Sequence, residues 1–325
     1  MEPSRRKILK LAGGATVAIG FPQLALAQSY PMRPVRIVVP YGPGGVPDIA
    51  ARLLGQWLSE RLRQPFVVEN RPGAGGSIGT EAVVRSPADG YTLLYFAGGQ
   101  MIIPSLYDKL SFNFMRDIAP VAAVLRVPHI IAVHPSVPVN SIPELIAYAR
   151  AHPGKLNEGS STGTTPHLTA ELFKTSTGVT IVHVPYRGGT AALSDLLGGQ
   201  LQISFDTIGV LAESVKAGKL RALAVTTNMR WEGLRDVPTV GDFVPGFEMN
   251  GGLGGVGAPS GTSPEIIEKL NHEINAALVV DKMRARIADM GATIVLGSAE
   301  DCKKLVSTET EKWAKIIRAA NIKPD

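Results

Sequence analysis

The sequence VRIVVPYGPGGVPDIAARLLGQWLSERL, residues 35–62, changes its hydrophobic pattern twice. Val35–Val39 is a mostly apolar run of strand length, and residues 41–45 are rich in glycine and proline, which favours a turn. Residues 48–62 then place apolar side chains four positions apart on one helical face: Ile49, Leu53 and Trp57. The stretch therefore predicts a buried strand, a glycine-rich turn and a helix.

The same unit recurs along the chain. Residues 66–68 predict a strand, residues 71–76 a glycine-rich turn, residues 80–85 a helix and residues 91–96 a third strand. After Pro135 a second series alternates in the same way, with helices at 142–150, 166–173, 190–197 and 210–217 and strands at 156–160, 180–184, 201–205 and 220–225. Successive strand–helix–strand units predict two doubly wound α/β units, each with a parallel sheet covered by helices.

Two segments are expected to cross between these units. Residues 122–133 lie between the two series, and the glycine-rich residues 250–257 follow the second one. A paired crossover of this kind makes a hinge between two lobes. The cleft between the strand ends of the lobes is then the expected ligand site.

The last part of the chain is predicted to be helical and to cover the first sheet, with helices at 264–280, 281–290 and 300–320. Because these helices cover the first sheet, lobe 1 is expected to consist of two separate segments of the chain. Lobe 1 comprises residues 28–125 and 255–325, and lobe 2 comprises residues 126–254.

Residues 1–27 have the composition of an export signal. A basic stretch at 5–10 precedes an apolar run, and Ala25-Leu26-Ala27 forms an A-x-A cleavage site. We therefore expect cleavage after Ala27. The paired Arg5 and Arg6 resemble a twin-arginine signal, although Ile8 stands where phenylalanine is commonest. The alternative is an ordinary Sec signal whose basic end contains two arginines.

The charge of the mature chain excludes a basic nucleic-acid-binding surface. The whole chain has 33 basic and 28 acidic residues, and the signal contains four bases and one acid, which leaves 29 against 27. The resulting net charge of about +2 offers no basic patch for nucleic acid. The single cysteine, Cys302, cannot form an internal disulfide, and its neighbours Lys303 and Lys304 predict an exposed thiol on a helix surface.

The motifs of metal and nucleotide sites are missing from the sequence. Its six histidines, at 129, 134, 152, 167, 183 and 272, show neither an H-E-x-x-H motif nor tight pairing, so no metal site is predicted. Gly73, Gly75 and Gly79 do not form a dinucleotide fingerprint, because Ile78 stands in the place of the third glycine. No cofactor is expected.

Several loop motifs occur in one order along the chain: PYGPGGVPD at 40–48, VENRPGAGG at 68–76, DGYTL at 89–93, EGSSTGTTPHLTAEL at 158–172, HVPYRG at 183–188, LLGGQ at 196–200, GKLRALAV at 218–225 and DVPTV at 236–240. Together they closely resemble the Bug-type solute receptors of tripartite tricarboxylate transporters. The resemblance covers residues 30–325.

The resemblance implies a periplasmic binding protein of type II, a Venus flytrap that closes on a small carboxylate. It implies delivery of that ligand to the membrane permease subunits of a tripartite tricarboxylate transporter. It also implies a monomer with no catalytic residues. The expected ligand-binding residues are Tyr41, Gly44, Gly45, Asp48, Gly99, Ser160, Thr164, Thr165, His167, Tyr186, Arg187 and Asp206.

The residue types fit an anion site, because helix N-termini behind glycine-rich turns present unpaired N–H donors to a carboxylate. His167, near such a terminus, is expected to be a neutral donor. Three side chains have alternative roles. Asp48 could serve only the start of its helix, Arg187 could be a solvated surface residue, and Asp206 could accept from a ligand amine or water or cap its own backbone.

The alternative function is a secreted serine hydrolase. Residues 159–163 satisfy the G-x-S-x-G pattern with Ser161 as nucleophile, and Asp206 and His272 follow in the order of a triad. Two observations argue against it. A nucleophile elbow needs a hydrophobic strand, and residues 155–158 are polar, while His272 lies within an amphipathic helix pattern.

Two segments differ from the usual family pattern. The loop at 160–167 is one residue shorter than the common form, and residues 250–255 are glycine-rich where many relatives have a tryptophan–tyrosine pair. These differences predict a roomier or less aromatic pocket and leave the identity of the carboxylate open.

Overall fold

A computed structural model describes residues 30–107, 109–186, 189–247 and 249–323. The predicted export signal lies outside the described residues. The first part of the chain forms, in order, β1 (Val35–Val39), α1 (Val46–Leu62), β2 (Phe66–Asn70), α2 (Ser77–Val84), β3 (Thr92–Phe96), α3 (Gly98–Leu106), α4 (Phe114–Asp117) and β4 (Ile118–Val127).

The rest of the chain forms β5 (Ile130–Val133), α5 (Ile142–Ala151), β6 (Asn157–Ser160), α6 (Thr165–Thr177), β7 (Val182–Pro185), α7 (Gly189–Leu197), β8 (Ile203–Ser204), α8 (Ile208–Lys216), β9 (Arg221–Val225), β10 (Gly252–Pro259), α9 (Pro264–Leu278), α10 (Asp281–Asp289), β11 (Thr293–Ile294) and α11 (Ala299–Ala320). The predicted strands and helices are therefore present, with ends that differ by no more than four residues. Helices α3 and α4 and strand β11 were not predicted.

The strands form two sheets, one in each lobe. The six-stranded sheet of lobe 1 has the order β11-β4-β10-β3-β1-β2, and the five-stranded sheet of lobe 2 has the order β7-β6-β8-β5-β9. The prediction of two α/β lobes is confirmed.

The prediction that both sheets are parallel was wrong in part. Strands β1, β2 and β3 are parallel, as are β6, β7 and β8, but β10 is antiparallel to β3 and β4. In lobe 2, β5 is antiparallel to both β8 and β9. The antiparallel strands adjoin the crossings between the lobes, where β4 leads out of lobe 1, β5 enters lobe 2 and β10 leads back.

The glycines of β10 are required by packing between strands. A methyl group on Gly255 would lie 2.5 Å from the carbonyl oxygen of Ala122 and from the ring of Phe96, and one on Gly257 would lie 2.6 Å from Ile118. These glycines therefore let β10 pack between β3 and β4. At Gly255, which belongs to the glycine-rich segment 250–255, the missing side chain does not enlarge a pocket, contrary to the expectation for that segment.

The C-terminal helices return to lobe 1, as predicted, and pack on its sheet. On α11 the apolar face includes Cys302, Val306 and Trp313, all buried. The prediction of an exposed Cys302 was wrong, because the helix turns this side chain toward the core while Lys303 and Lys304 stay exposed. Burial raises the pKa of the Cys302 thiol to about 12. Among the described residues, no helix combines the length and apolar character needed to cross a membrane.

Candidate functional site

Three helices begin where the ends of central strands face the other lobe. In lobe 1, α1 starts after the loop that follows β1, and α3 starts directly after β3. In lobe 2, α6 starts after the loop that follows β6, with Thr164 as N-cap and a proline in its first turn. Because the first N–H groups of a helix have no intrahelical acceptor, each start presents positive partial charge to the space between the lobes.

Thr165 brings two of these helix starts into contact. Its side chain lies against Gly98, the first residue of α3, so closely that a methyl group on Gly98 would overlap Thr165 Cγ2. On its other side, a methyl on Gly252 of β10 would lie 3.6 Å from Thr165 Oγ1. The start of α6 therefore fits into a notch formed by Gly98 of lobe 1 and Gly252 of the crossing strand β10.

The hydroxyl of Thr165 is held by His129 at the crossing between β4 and β5. Thr165 Oγ1 lies 3.2 Å from His129 Nε2, and His129 is fully buried. Burial lowers the pKa of His129 to about 3, so this imidazole is neutral. Within the described part of the chain, His129 Nδ1 has no hydrogen-bond partner.

Tyr41 and Gly99 lie together in lobe 1. The Tyr41 hydroxyl donates to Gln100 Oε1 at 3.0 Å, and a methyl on Gly99 would lie 2.6 Å from the Tyr41 oxygen. Burial raises the pKa of Tyr41 to about 12. This arrangement fixes the phenol against the first turn of α3.

Asp48 is buried and holds the glycine-rich loop in place. Its carboxylate accepts from the Gly44 amide at 2.9 Å, from Asn70 Nδ2 at 2.9 Å and from Arg52 Nε at 3.1 Å. Burial alone would raise the pKa of Asp48, but these hydrogen bonds and the Arg52 charge hold it below its ordinary value. Asp48 therefore has the helix-start role that the sequence left open, and Gly45 is the N-cap of α1.

Glu158, which the sequence analysis did not single out, lies at the floor of the lobe 2 loop. Its side chain is 1% exposed, Oε1 lies 2.5 Å from His183 Nδ1, and Oε2 accepts from Ser160 Oγ at 3.2 Å. His183 Nε2 lies 3.2 Å from Thr162 Oγ1. The chain of contacts thus anchors both Ser160 and Thr162 to a buried carboxylate.

His167 also supports the loop that leads into α6. Its Nδ1 accepts from the Gly163 amide at 3.1 Å, and its ring stacks on His183 with centroids 4.0 Å apart. Nδ1 therefore acts as an acceptor in this contact. The sequence interpretation that the histidines are unpaired was wrong here, because parallel strands bring His183 beside His167 of α6, sixteen residues earlier in the chain.

Glu158, His167 and His183 each offer an atom to one cluster within 4.8 Å. A zinc ion needs ligand lone pairs that converge at about 2.0–2.1 Å from nitrogen. The two rings are stacked at an interplanar angle of 23°, so their in-plane lone pairs lie in separate, nearly parallel planes. The cluster is arranged as a hydrogen-bonded support for the loop.

The remaining predicted residues lie in lobe 2. The Thr164 hydroxyl donates to the carbonyl oxygen of Ser161 at 2.6 Å, and the Tyr186 hydroxyl donates to Asp195 Oδ2 at 2.5 Å. This bond to Asp195 raises the pKa of Tyr186 to about 12. Arg187 lies outside the described residues.

Asp206 lies between the starts of α7 and α8. Its Oδ1 accepts from the Thr207 amide at 2.6 Å, and a methyl on Gly189 would lie 2.9 Å from Oδ2. Burial raises the pKa of the Asp206 carboxyl. The residue thus caps its own backbone with one oxygen, and its other oxygen lies beside a helix start.

The predicted triad of the hydrolase alternative is divided between the lobes. Ser161 and Asp206 belong to lobe 2, whereas His272 is exposed on α9 of lobe 1. The objection that residues 155–158 are too polar for a strand was wrong, since Asn157–Ser160 forms β6 between β7 and β8. A buried Glu158 fits in this strand because His183 lies opposite it.

A large cavity of about 1080 Å³ lies elsewhere, on the side of the crossing strands next to β11. Both lobes contribute to its lining, which includes Arg126, Gly209, Trp231, Asn250, Gly291 and Ile294. None of the predicted ligand-binding residues that the structure describes lines it.

The comparisons with known proteins agree on one family. The model of the tripartite tricarboxylate transporter family receptor matches residues 50–322. The chain is 35% identical to protein BugT of Bordetella pertussis over 321 residues, which is 98% of each chain.

Two solved structures extend the similarity to three dimensions. R. palustris Rpa4515, solved with adipate, has 39% identity and a TM-score of 0.82, covering 91% of this chain and 100% of that one. MatC from Rhodopseudomonas palustris, solved with bound malate, has 29% identity and a TM-score of 0.78, covering 89% and 100%. With a family model matched over most of its length and these relatives, the chain belongs to the tripartite tricarboxylate transporter receptor family.

Proposed function

We propose that the protein is a periplasmic receptor that captures one small mono- or dicarboxylate in the cleft between its lobes. In this proposal it delivers the ligand to the membrane permease subunits of a tripartite tricarboxylate transporter. The observation that carries the proposal is the contact between the start of α3 from lobe 1 and the start of α6 from lobe 2, with the loop before α1 held against α3 through Tyr41. Thr165 in its notch between Gly98 and Gly252 joins the two lobes there.

Backbone amides supply the donors in this proposal. Helix geometry leaves N–H groups free of intrahelical acceptors at the starts of α1, α3 and α6: Val46, Asp48, Gly98, Thr165 and His167. A hydrogen bond to a charged group contributes about 1.5–3 kcal/mol, and helix starts favour anions. Several such amides suffice to hold one carboxylate group without a cationic side chain.

The predicted side chains divide into two roles. Tyr41, Gly45, Gly99 and Thr165 lie at the helix starts and would border the ligand. Asp48, Ser160, Thr164 and His167 make internal hydrogen bonds, so they would shape the loops that present the amides.

The second end of the ligand would lie against lobe 2 beyond α6. Asp206, with one oxygen beside the start of α7, would accept from a ligand amine or a bridging water. Tyr186 and Arg187 follow β7 and would bound the same region. The relatives solved with adipate and malate support a carboxylate as the class of ligand.

We also propose that the mature protein is a monomer without enzymatic activity, exported by the twin-arginine route. The proposed lobes comprise residues 28–125 with 255–325, and 126–254. All of β5 to β9 fall within the second range, while β4 and β10 cross its limits.

A thermal-shift screen tests the ligand class, since a ligand that binds the native state raises apparent stability. We expect a higher midpoint with at least one of adipate, malate, citrate, benzoate and glutamate. Titration calorimetry then measures affinity and stoichiometry. Stabilisation only by sugars or by cations would contradict the assignment.

A further inference from the structure

The lobes meet at a second place, away from the cleft. There the first turn of α8 in lobe 2 packs against the turn between α10 and β11 in lobe 1. A methyl group on Gly209 would lie 2.6 Å from the carbonyl oxygen of Met290, and one on Gly291 would lie 3.0 Å from the Gly209 nitrogen. The two backbones therefore meet directly, and this approach requires glycine on both sides.

The sheet order of lobe 1 places this contact across the crossing strands from the cleft. Strand β11, which begins two residues after Gly291, pairs with β4. The helices that face the cleft follow β1 and β3, which lie on the other side of β4 and β10. Since β4 and β10 lead into the crossings, the cleft and the glycine contact lie on opposite arms of one hinge.

The glycine contact is bordered by open space. The cavity of about 1080 Å³ adjoins it and is lined by both Gly209 and Gly291, as well as by Arg126 and Asn250 near the crossings. A group added between the two glycines would push the lobes apart here.

We propose that Gly209 and Gly291 set the resting angle between the lobes and thereby tune ligand affinity without touching the ligand. Their missing side chains let the lobes approach on the β11 side, which limits how far the cleft beyond the Thr165–Gly98 contact is closed. Separation on the β11 side rotates the lobes about the crossings and narrows the cleft. The inference rests on the proposed capture of ligand by closure, in which affinity rises with the fraction of protein already closed.

Gly209→Ala is the direct test, because Gly209 lies in the first turn of α8 at an ordinary helical φ and alanine favours a helix. The added methyl meets a backbone oxygen that has no side-chain freedom. Gly291→Ala fills the same contact from lobe 1, with some strain because φ is 71°. The matched control is Gly198→Ala, where the new methyl would lie 3.5 Å from the Ser194 oxygen within lobe 2.

A substitution on the cleft side should have the opposite effect on the angle between the lobes. Gly98→Ala would overlap Thr165 Cγ2 and should hold the cleft open. Thr165→Ser removes that methyl and should relieve the overlap in the double variant. Substitutions on the two sides of the hinge should therefore change the angle between the lobes in opposite directions.

The primary measurement is small-angle scattering of the ligand-free variants, with circular dichroism to show that each is folded. We expect Gly209→Ala and Gly291→Ala to be more compact than the wild type, Gly98→Ala to be less compact, and Gly198→Ala to be unchanged. With adipate as probe, calorimetry should show about three- to tenfold tighter binding by Gly209→Ala, as for a larger closed fraction.

An unchanged or larger radius of gyration for folded Gly209→Ala and Gly291→Ala would overturn the inference. If only one of these two variants folds, the radius of gyration of that variant decides whether the inference holds. Failure of the wild type to bind adipate or any acid in the screen would count against the proposed function instead. The ligand-free scattering would still decide whether the glycine contact controls the lobe angle.

Discussion

His183 Nδ1 lies 2.5 Å from Glu158 Oε1, and the two residues are direct neighbours across the parallel strands β6 and β7. The pair lies beneath the loop of residues 161–164, which leads into α6. Through Ser160 and Thr162 it connects the core of lobe 2 to the proposed ligand site.

His183→Ala should destabilise the protein strongly, because it leaves the buried Glu158 carboxylate without its partner. Breaking a buried pair costs about 3–5 kcal/mol, which urea unfolding would detect as a lower midpoint. Adding Glu158→Gln to His183→Ala should recover part of that loss. Equal loss in the single and double variants would mean that the pairing contributes little.

Ser161→Ala should leave carboxylate affinity within about tenfold, since one neutral hydrogen bond contributes only about 0.5–1.5 kcal/mol. Thr165→Pro should weaken binding far more. It removes a backbone donor at the start of α6 and the hydroxyl that contacts His129.

Calorimetry with the same acid compares the two variants, and an esterase assay distinguishes the hydrolase alternative. Loss of a wild-type esterase activity in Ser161→Ala would contradict the receptor assignment. A larger loss of affinity in Ser161→Ala than in Thr165→Pro would contradict the amide-based site.

Asp48→Asn should make the protein less stable at pH 7 and less sensitive to acid. The pKa of Asp48 is held below its unfolded value of about 3.9, so its contribution to stability is present above about pH 4. That contribution is lost as the pH falls through the folded-state pKa. Urea midpoints at pH 7 and pH 3 should therefore differ less in Asp48→Asn than in the wild type, and parallel curves would contradict the prediction.

Cys302 should resist a thiol reagent in the native protein. Its side chain is 1% exposed and its pKa is raised to about 12, so thiolate is scarce at pH 8. We expect slow reaction with Ellman's reagent in buffer and rapid reaction of one thiol per chain in urea. Rapid reaction in buffer would indicate that α11 opens from the sheet.

Export should depend on the paired arginines of the signal. Changing Arg5 and Arg6 together to lysine keeps the charge but removes the twin-arginine motif. Precursor should then accumulate in the cytoplasm, as shown by cell fractionation. Normal secretion of the variant would indicate the Sec route.

Local sequence patterns were sufficient for the alternation of strands and helices and for the two-lobe fold. The apolar run at Val35–Val39 and the spacing of Ile49, Leu53 and Trp57 depend only on neighbouring residues. The helix starts behind glycine-rich turns follow from the same short-range chemistry, because glycine and N-cap residues act within a few positions. The order of the loop motifs along the chain also indicated the protein family.

Long-range contacts decided the remaining features. Glu158 and His183 are 25 positions apart, and their pairing depends on the register of two parallel strands. Cys302 is buried despite its lysine neighbours because it lies on the face of α11 that packs on the core. Asp48 is held by hydrogen bonds from Asn70 and Arg52. Gly209 and Gly291 meet only because two lobes pack together. A single sequence carries the residue types for such contacts, but the distances that make them interact arise only when the sheets and lobes assemble.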